Sequence, residues 1–463
     1  MSEEINNPPN QDTPIEGASP SPDLVRQCQD AIDAGNKKQL LEIAKELHSA
    51  DMGALFELLN RPDRVELAEA IKKQLDPEVL TELEGAAFDD VVGVLEPEEL
   101  ADAVGQLETD DAVQVLEEMD DEAEQQEVLK RVSPADRVAI EESLGFPEDS
   151  AGRLMQRDLI AVPPGWTVGQ TIDYMRKEKN LPNEFYEIFV VDPKHKPIGT
   201  VPLSRLMQTN RPVKVSTIMD EEQTLIPVAE DQEVAANRFR QYDLISAAVV
   251  DEVGRLVGVI TVDDIVDVID EEAEEDILAL AGVTEGDVNV SVRDITKTRF
   301  VWLVVNLLTA ILASYVISFF EDSIEKLVAL AVLMPIVASM GGNAGSQTMT
   351  IAVRAIAMNE LSTANLVSVL NKEFFGGIVN GVLLALLMGV VAGAWFQNVE
   401  LGLVIGAAMI INIVVAAVSG ILIPVTLDKL KIDPAVASSI FVTTITDVVG
   451  FLAFLGLAAL VLI

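Results

Sequence analysis

The chain has 463 residues, with 75 Asp and Glu against 32 Lys and Arg, for a formal net charge of −43. Such an acidic surface repels nucleic acid and attracts cations, which excludes a nucleic-acid partner. A single cysteine, Cys28, excludes a disulfide framework within the chain and suits a reducing compartment. The length allows about three domains, and the charge divides them. Residues 300–463 hold nine acids and five Lys or Arg, while the first 299 residues hold 66 acids and 27 Lys or Arg. An acidic soluble half is joined to an apolar half.

In chain order, residues 1–25 read as a disordered tail, because Met1 to Pro22 is polar and Pro-rich with no apolar core of the kind a signal peptide needs. Residues 26–150 read as an all-α acidic domain. Leu75-Asp76-Pro77-Glu78, Leu95-Glu96-Pro97-Glu98, Leu107-Glu108-Thr109-Asp110, Met119-Asp120-Asp121-Glu122 and Val132-Ser133-Pro134-Ala135 recur about every twelve residues, each before an apolar-periodic stretch. Capping oxygens, proline and acids favour a helix start, so the repeat predicts short stacked helices in a superhelix.

Residues 151–270 carry a second repeat. Val190-Val191-Asp192 is followed by Gly199, and Val249-Val250-Asp251 by Gly258, with a constant offset of 59 residues. Strand, Asp-led turn, strand and helix fit each copy, and the pair resembles tandem CBS motifs. The second copy runs through Gly258-Val-Ile-Thr261-Val-Asp263-Asp264 into an acidic connecting helix, expected over 264–290. Asp267, Asp270, Glu271, Glu274 and Glu275 share one face of it at spacings of three or four. That face is either an ordinary solvated one or a hard-cation site for Mg²⁺ or Ca²⁺.

The expected membrane domain, 296–463, holds uncharged apolar runs at 300–320, 327–353, 374–399 and 401–427, and a fifth at 434–463 interrupted by Asp447. Each exceeds the roughly 20 residues needed to cross a hydrocarbon core. Arg293, Lys297, Arg299, Arg354, Lys372, Lys429 and Lys431 lie on one side of these spans and Lys326 on the other, which places the N-terminal half in the cytoplasm. An ionised Asp at mid-bilayer costs about 2.5–3.5 kcal/mol, so Asp447 demands compensation. Either a hydrated cation provides it, with oxygens of Thr443, Thr444 and Thr446 nearby, or the Asp is neutral and bonded to Asn412 or a Thr hydroxyl. Gly341, Gly342 and Gly345 allow close helix packing. Asn343 among them reads as a pore group or as an interhelical hydrogen bond. The two histidines, His48 and His195, lie in the soluble half, and no nucleophile triad, phosphate loop or Cys/His metal signature accompanies them, so no enzyme and no catalytic residue is expected.

The order of parts resembles the MgtE family of magnesium channels from about residue 30 to the end. Three motifs carry the likeness: Pro147-Glu148-Asp149-Ser150-Ala151-Gly152-Arg153-Leu154-Met155, then Pro335 with Gly341-Gly342-Asn343-Ala344-Gly345-Ser346-Gln347, then Thr443-Thr444-Ile445-Thr446-Asp447-Val448-Val449-Gly450. The resemblance implies a multidomain membrane protein: an acidic superhelical N domain, an α/β CBS pair, a connecting plug helix and a five-helix transmembrane domain. It implies a homodimer in the lipid of the cytoplasmic membrane, with Asp447 binding hydrated Mg²⁺ on the two-fold axis and Asn343 lining the pore. Cytoplasmic Mg²⁺ is then expected to close the pore, with Asp110, Asp111, Asp263, Asp267, Asp270, Glu271, Glu274 and Glu275 as candidates for the regulatory ions. It also implies ATP at the CBS pair, near Thr261 and Asp264. A gradient-coupled transporter of divalent cations such as Co²⁺ or Mn²⁺ is the alternative.

Overall fold

The computed structural model describes residues 20–463, apart from 120, 179–180, 183–184, 284–291, 359 and 363. The chain divides into two compact units, Met1–Ile269 and Asp270–Ile463.

The first unit begins with α1 (Pro22–Asp33), α2 (Lys37–Glu46), α3 (Ser49–Leu58) and α4 (Arg61–Ile71). Helix α1 therefore starts inside the segment expected to be a tail up to residue 25. The Ser21 hydroxyl accepts from the Leu24 amide, Pro22 occupies the first turn, and Cys28, Ala31 and Ile32 are buried. The repeat then yields α5 (Gly85–Val92), α6 (Pro97–Val104), α7 (Thr109–Glu117), α8 (Glu122–Leu129) and α9 (Pro134–Leu144). Asp121 and Ser133 cap α8 and α9, and Glu96 with Glu99 forms a capping box on α6. The copy at 75–78 gives only a 3₁₀ turn, Pro77–Leu80. There the Thr81 hydroxyl donates to the Glu78 carbonyl at 2.8 Å and competes for a group that a longer helix would use.

A buried arginine ties this helical body together. Arg64 is 3% exposed; its Nε donates to the Phe56 carbonyl (2.9 Å), Nη2 to Leu59 (3.0 Å), and Nη1 to Ala86 (3.2 Å) and to Asp90 Oδ2 (3.0 Å). Arg61 reaches the other Asp90 oxygen at 2.9 Å. Every oxygen of this buried carboxylate thus has a guanidinium partner.

Two three-stranded sheets follow, built on the same plan. In the first, β1 (Ala161–Val162) runs parallel to β2 (Glu187–Val191), which pairs antiparallel with β3 (Pro197–Pro202); in the second, β4 (Leu225–Pro227), β5 (Ser246–Val250) and β6 (Leu256–Thr261) repeat this order. Helices α10 (Val168–Lys177), α11 (Leu203–Gln208) and α12 (Gln232–Tyr242) flank them. The offset of 59 is visible in space. Glu187 and Ser246, the same position in the two copies, meet directly, the Ser246 hydroxyl donating to Glu187 Oε1 at 2.7 Å. Glycine recurs at 199 and 258 because a Cβ would meet the Asp220 carbonyl at 2.6 Å in one copy and Met155 Sδ at 2.6 Å in the other.

Helix α13 (Val262–Ala281) leaves β6 and passes into the second unit. It ends earlier than the expected connecting helix because Gly282 follows in left-handed backbone (φ 73°); residues 284–290 of that expectation lie outside the described residues. The second unit continues with α14 (Val292–Ser318), the short α15 (Glu321–Lys326), α16 (Ala329–Ala357), α17 (Leu366–Trp395), α18 (Val399–Lys429) and α19 (Pro434–Val461). Five of these helices are long and apolar enough to cross a membrane. Helix α18 is the central one: 61% of its most apolar stretch is buried, against 6% for α14, and it packs on α16, α17 and α19. Helix α17 starts eight residues before its uncharged run. It retains Lys372 and Glu373, the latter accepting from the buried Thr348 hydroxyl of α16 at 3.2 Å.

Arg64→Met keeps the side chain's length but removes the donors that reach the Phe56, Leu59 and Ala86 carbonyls and one Asp90 oxygen. Urea unfolding of the N-terminal helical body should lose about 3–5 kcal/mol; a loss below about 1 kcal/mol would mean that water replaces the guanidinium.

Candidate functional site

A cluster of carboxylates is assembled where α7, the segment from the Pro77–Leu80 turn to Glu82 and the start of α13 share the first unit. The repeat that starts α7 puts Asp110 and Asp111 in its first turn, where acids favour the helix dipole. The same placement turns them inward. Asp110 is 8% exposed, and neither of its carboxylate oxygens has a hydrogen-bond partner among the described residues. Burial, then Asp264 and Asp111, hold its carboxyl well above the usual range, with the Asp111 amide acting weakly the other way. Burial pushes Asp111 up to about 6, and Glu78, Asp263, Asp267 and Glu82 add to the rise. Glu82 is raised by burial, Asp267 and Glu78, with His48 opposing. Seven carboxylates from three segments therefore act on one another at short range.

Asp264 belongs to this cluster. It stands at the third position of α13 and reaches back to Thr261, accepting from the hydroxyl at 2.8 Å and from the amide at 3.3 Å, a capping pattern that starts the helix. Burial pushes its carboxyl up to about 7 despite these hydrogen bonds; Asp263 and Asp111 add to the rise. Thr261 does line a cleft of about 300 Å³ in the CBS pair, together with Phe185, Tyr186, Asp158, Glu187 and Ser246. The aromatic faces, hydroxyls and carboxylates there suit a base and a ribose, and no Lys or Arg is among the described residues that line the cleft.

Among the described residues, no three Asp, Glu, His or Cys side chains converge closely enough to grip one bare ion. A cation that keeps its water is the better match for the seven acids, because carboxylates then contact water in the ion's shell and orphaned oxygens such as those of Asp110 gain donors. Asp263 and Asp267 join this cluster as the sequence suggests. Asp270, Glu271, Glu274 and Glu275 do not, and follow along α13 as exposed residues in the second unit. Glu78 and Glu82 were missed as site residues, although their spacing of four beside a helix start was a usable signal. Asp276 was missed too: burial and then Asp433, the cap of α19, raise its carboxyl.

Within the second unit, Asp447 sits half-buried on α19 with no hydrogen-bond partner among the described residues. Among the described residues Asp447 makes no hydrogen bond to Asn412, whose amide donates to the Val337 carbonyl of α16 at 2.9 Å. Thr443 donates to Ser439 (2.9 Å), Thr444 to Ile440 (2.6 Å) and Thr446 to Thr443 (3.0 Å) along their own helix. Their protons are committed, which leaves oxygen lone pairs able to accept from the water of a hydrated ion. Asn343 is exposed on α16.

Comparison with known proteins covers both units. The family described as divalent cation transporter, MgtE, matches residues 334–457; the MgtE intracellular N domain matches 47–149, and the CBS domain matches 151–209 and 215–271. The magnesium transporter MgtE of Thermus thermophilus is 32% identical over 446 residues, covering 95% of this chain and 98% of the relative. That of Enterococcus faecalis is 33% identical over 321 residues, 69% of this chain and 71% of the relative. A solved cytosolic domain of the Mg²⁺ channel MgtE in complex with ATP is 30% identical, with a TM-score of 0.49, covering 53% of this chain and 99% of that one.

The raised carboxyls give a signed pH dependence. With divalent cations chelated, the first unit holds protons that its unfolded chain has already released, so its stability should fall as pH rises from the ordinary aspartate value of 3.8 through about 7. Millimolar Mg²⁺ should remove most of the fall, and Asp110→Asn with Asp111→Asn should flatten it. Thermal unfolding at about pH 5 and about pH 7.5, each in chelator, checks the slope.

Proposed function

Because the chain belongs to the MgtE family of divalent cation transporters, a multi-pass membrane family with an intracellular N domain, we propose that it is a homodimeric Mg²⁺ channel. Asp447 is its ion-selecting group and Asn343 a pore-lining neighbour. Two copies of Asp447 brought to a two-fold axis would repel each other unless a cation lies between them. Mg²⁺ dehydrates reluctantly, so a ring of carboxylate and threonine oxygens around a still-hydrated ion suits it better than a tight cage.

The observation that carries the regulatory half is the seven-acid cluster at the start of α13. In that reading, cytoplasmic Mg²⁺ neutralises the cluster and favours a compact, closed form; its loss releases the repulsion and lets the acidic body move apart. The far end of α13 supports a route to the membrane helices. Ala279 and Leu280 pack with Met349 and Val353 of α16 and with Ala435 and Val442 of α19, the helices that carry Asn343 and Asp447. A displacement of α13 is then felt by both. ATP, bound by the solved relative, would be held in the CBS cleft by base and ribose, its phosphates meeting groups outside the described lining.

Proteoliposome uptake tests both parts. Asp447→Ala and Asp447→Asn should each lower Mg²⁺ uptake at least about tenfold, as loss of an intramembrane ion ligand does; full activity in both would remove the pore assignment. Asp110→Asn combined with Asp111→Asn and Asp267→Asn should conduct normally at low Mg²⁺ and fail to close when millimolar Mg²⁺ bathes the N-terminal side. Uptake that follows an imposed proton or sodium gradient would favour a coupled transporter instead.

A further inference from the structure

Asn412 lies in the middle of α18, the central helix of the second unit, and is fully buried. Its Nδ2 donates to the Val337 carbonyl of α16, while its Oδ1, equally buried, has no partner among the described residues. The surrounding surface is cut to its shape by two glycines on two other helices. A Cβ added at Gly341 of α16 would overlap the Asn412 amide, and one at Gly450 of α19 would lie 2.7 Å from Nδ2. Gly341 is two residues from Asn343, and Gly450 three residues from Asp447.

An interhelical hydrogen bond alone does not explain this arrangement. Such bonds contribute modestly in membranes and do not need glycine on both sides. An amide with an unpaired acceptor is also a poor filler, since an apolar side chain of similar volume would leave no polar atom unsatisfied. What the amide does supply is a rigid, planar wedge of defined thickness, anchored at one end to the backbone of α16.

We infer that Asn412 is a positioning residue: its side chain keys α18 between α16 and α19 and sets the separation at which Asn343 and Asp447 face the ion. The assignment of a role in permeation rests on the reading of Asp447 as the pore group; the keying itself does not. The ion is not touched by Asn412. The residue acts by fixing the spacing of two helices, and a small error in spacing falls on a hydrated ion whose fit depends on oxygen positions.

Suppression of a clash tests the idea in the full-length protein. Gly450→Ala should lower Mg²⁺ uptake at least about tenfold by forcing the methyl against the amide, and adding Asn412→Ala should recover most of that loss, because coupled neighbours are not additive. Asn412→Ala alone should change the Mg²⁺ KM and the preference for Mg²⁺ over Co²⁺, at a membrane level like the wild type's; a filler would lower the amount of folded protein and leave the preference alone. Asn412→Asp, which keeps the shape and loses the Nδ2 donor, should retain more of the preference than Asn412→Ala. If Gly450→Ala does not accumulate in the membrane, Gly341→Ala meets the same amide from the other helix, and recovery of membrane level in the double variant counts in its place. A double variant no better than either glycine variant, or a wild-type preference in Asn412→Ala, overturns the inference. Asp447→Asn is measured alongside: full uptake there with suppression intact removes the pore reading and leaves the key standing.

Discussion

A carboxylate taken out of water has to be met by positive charge, and this chain meets that demand in two ways. Asp90 is buried among helices and has a guanidinium on each oxygen, so its charge is settled within the fold. Asp110 is just as buried and neither of its oxygens has a hydrogen-bond partner among the described residues; Asp447 lies in an apolar helix, likewise without one among them. The first arrangement holds a structure together, because removing either partner strands a charge. The second leaves a carboxyl that a cation or a proton has to compensate. A soluble half with a net charge near −39, from 66 acids and 27 Lys or Arg, draws cations towards such sites.

The consequence is a division of labour along one helix. The first turn of α13 is capped by Thr261 and Asp264, and its acids share the cluster with α7 and the Pro77–Leu80 turn. Its last turn packs by apolar contact on α16 and α19. Electrostatics therefore acts at one end and close packing at the other. The CBS pair gives this helix a firm root: β6 runs straight into it, and the two copies lock across their repeat through Glu187 and Ser246.

Much of this was readable from residue order, and the failures have physical causes. Pro97, Thr109, Glu122 and Pro134 start helices as their caps predict, because capping is decided by neighbours in sequence. Pro77 has the same signature and starts only a short turn, since the Thr81 hydroxyl competes for its carbonyl. Asp264 is a residue that the family resemblance puts near a bound nucleotide. In the fold it also caps α13 and joins the acid cluster, where it meets Asp111, which the sequence separates from it by more than a hundred residues. Glu78 and Glu82 escaped notice as site residues for the same reason. In the membrane helices, charge marked the spans but not their ends, since α17 begins before Lys372 and Glu373.

What the sequence determined by itself was everything governed by local periodicity and by the cost of charge in hydrocarbon: five apolar helices, a twofold repeat of strands, capped short helices, and an Asp whose place in an apolar helix demands compensation. Tertiary structure decided which acids face one another, that Asp90 is neutralised while Asp110 is not, and that Asn412 serves Val337 and the gap between Gly341 and Gly450 instead of Asp447. The reason is range. Capping, amphipathicity and insertion depend on groups a few residues apart, whereas repulsion between carboxylates and the fit of an amide between two helices depend on through-space distances that no spacing along the chain encodes.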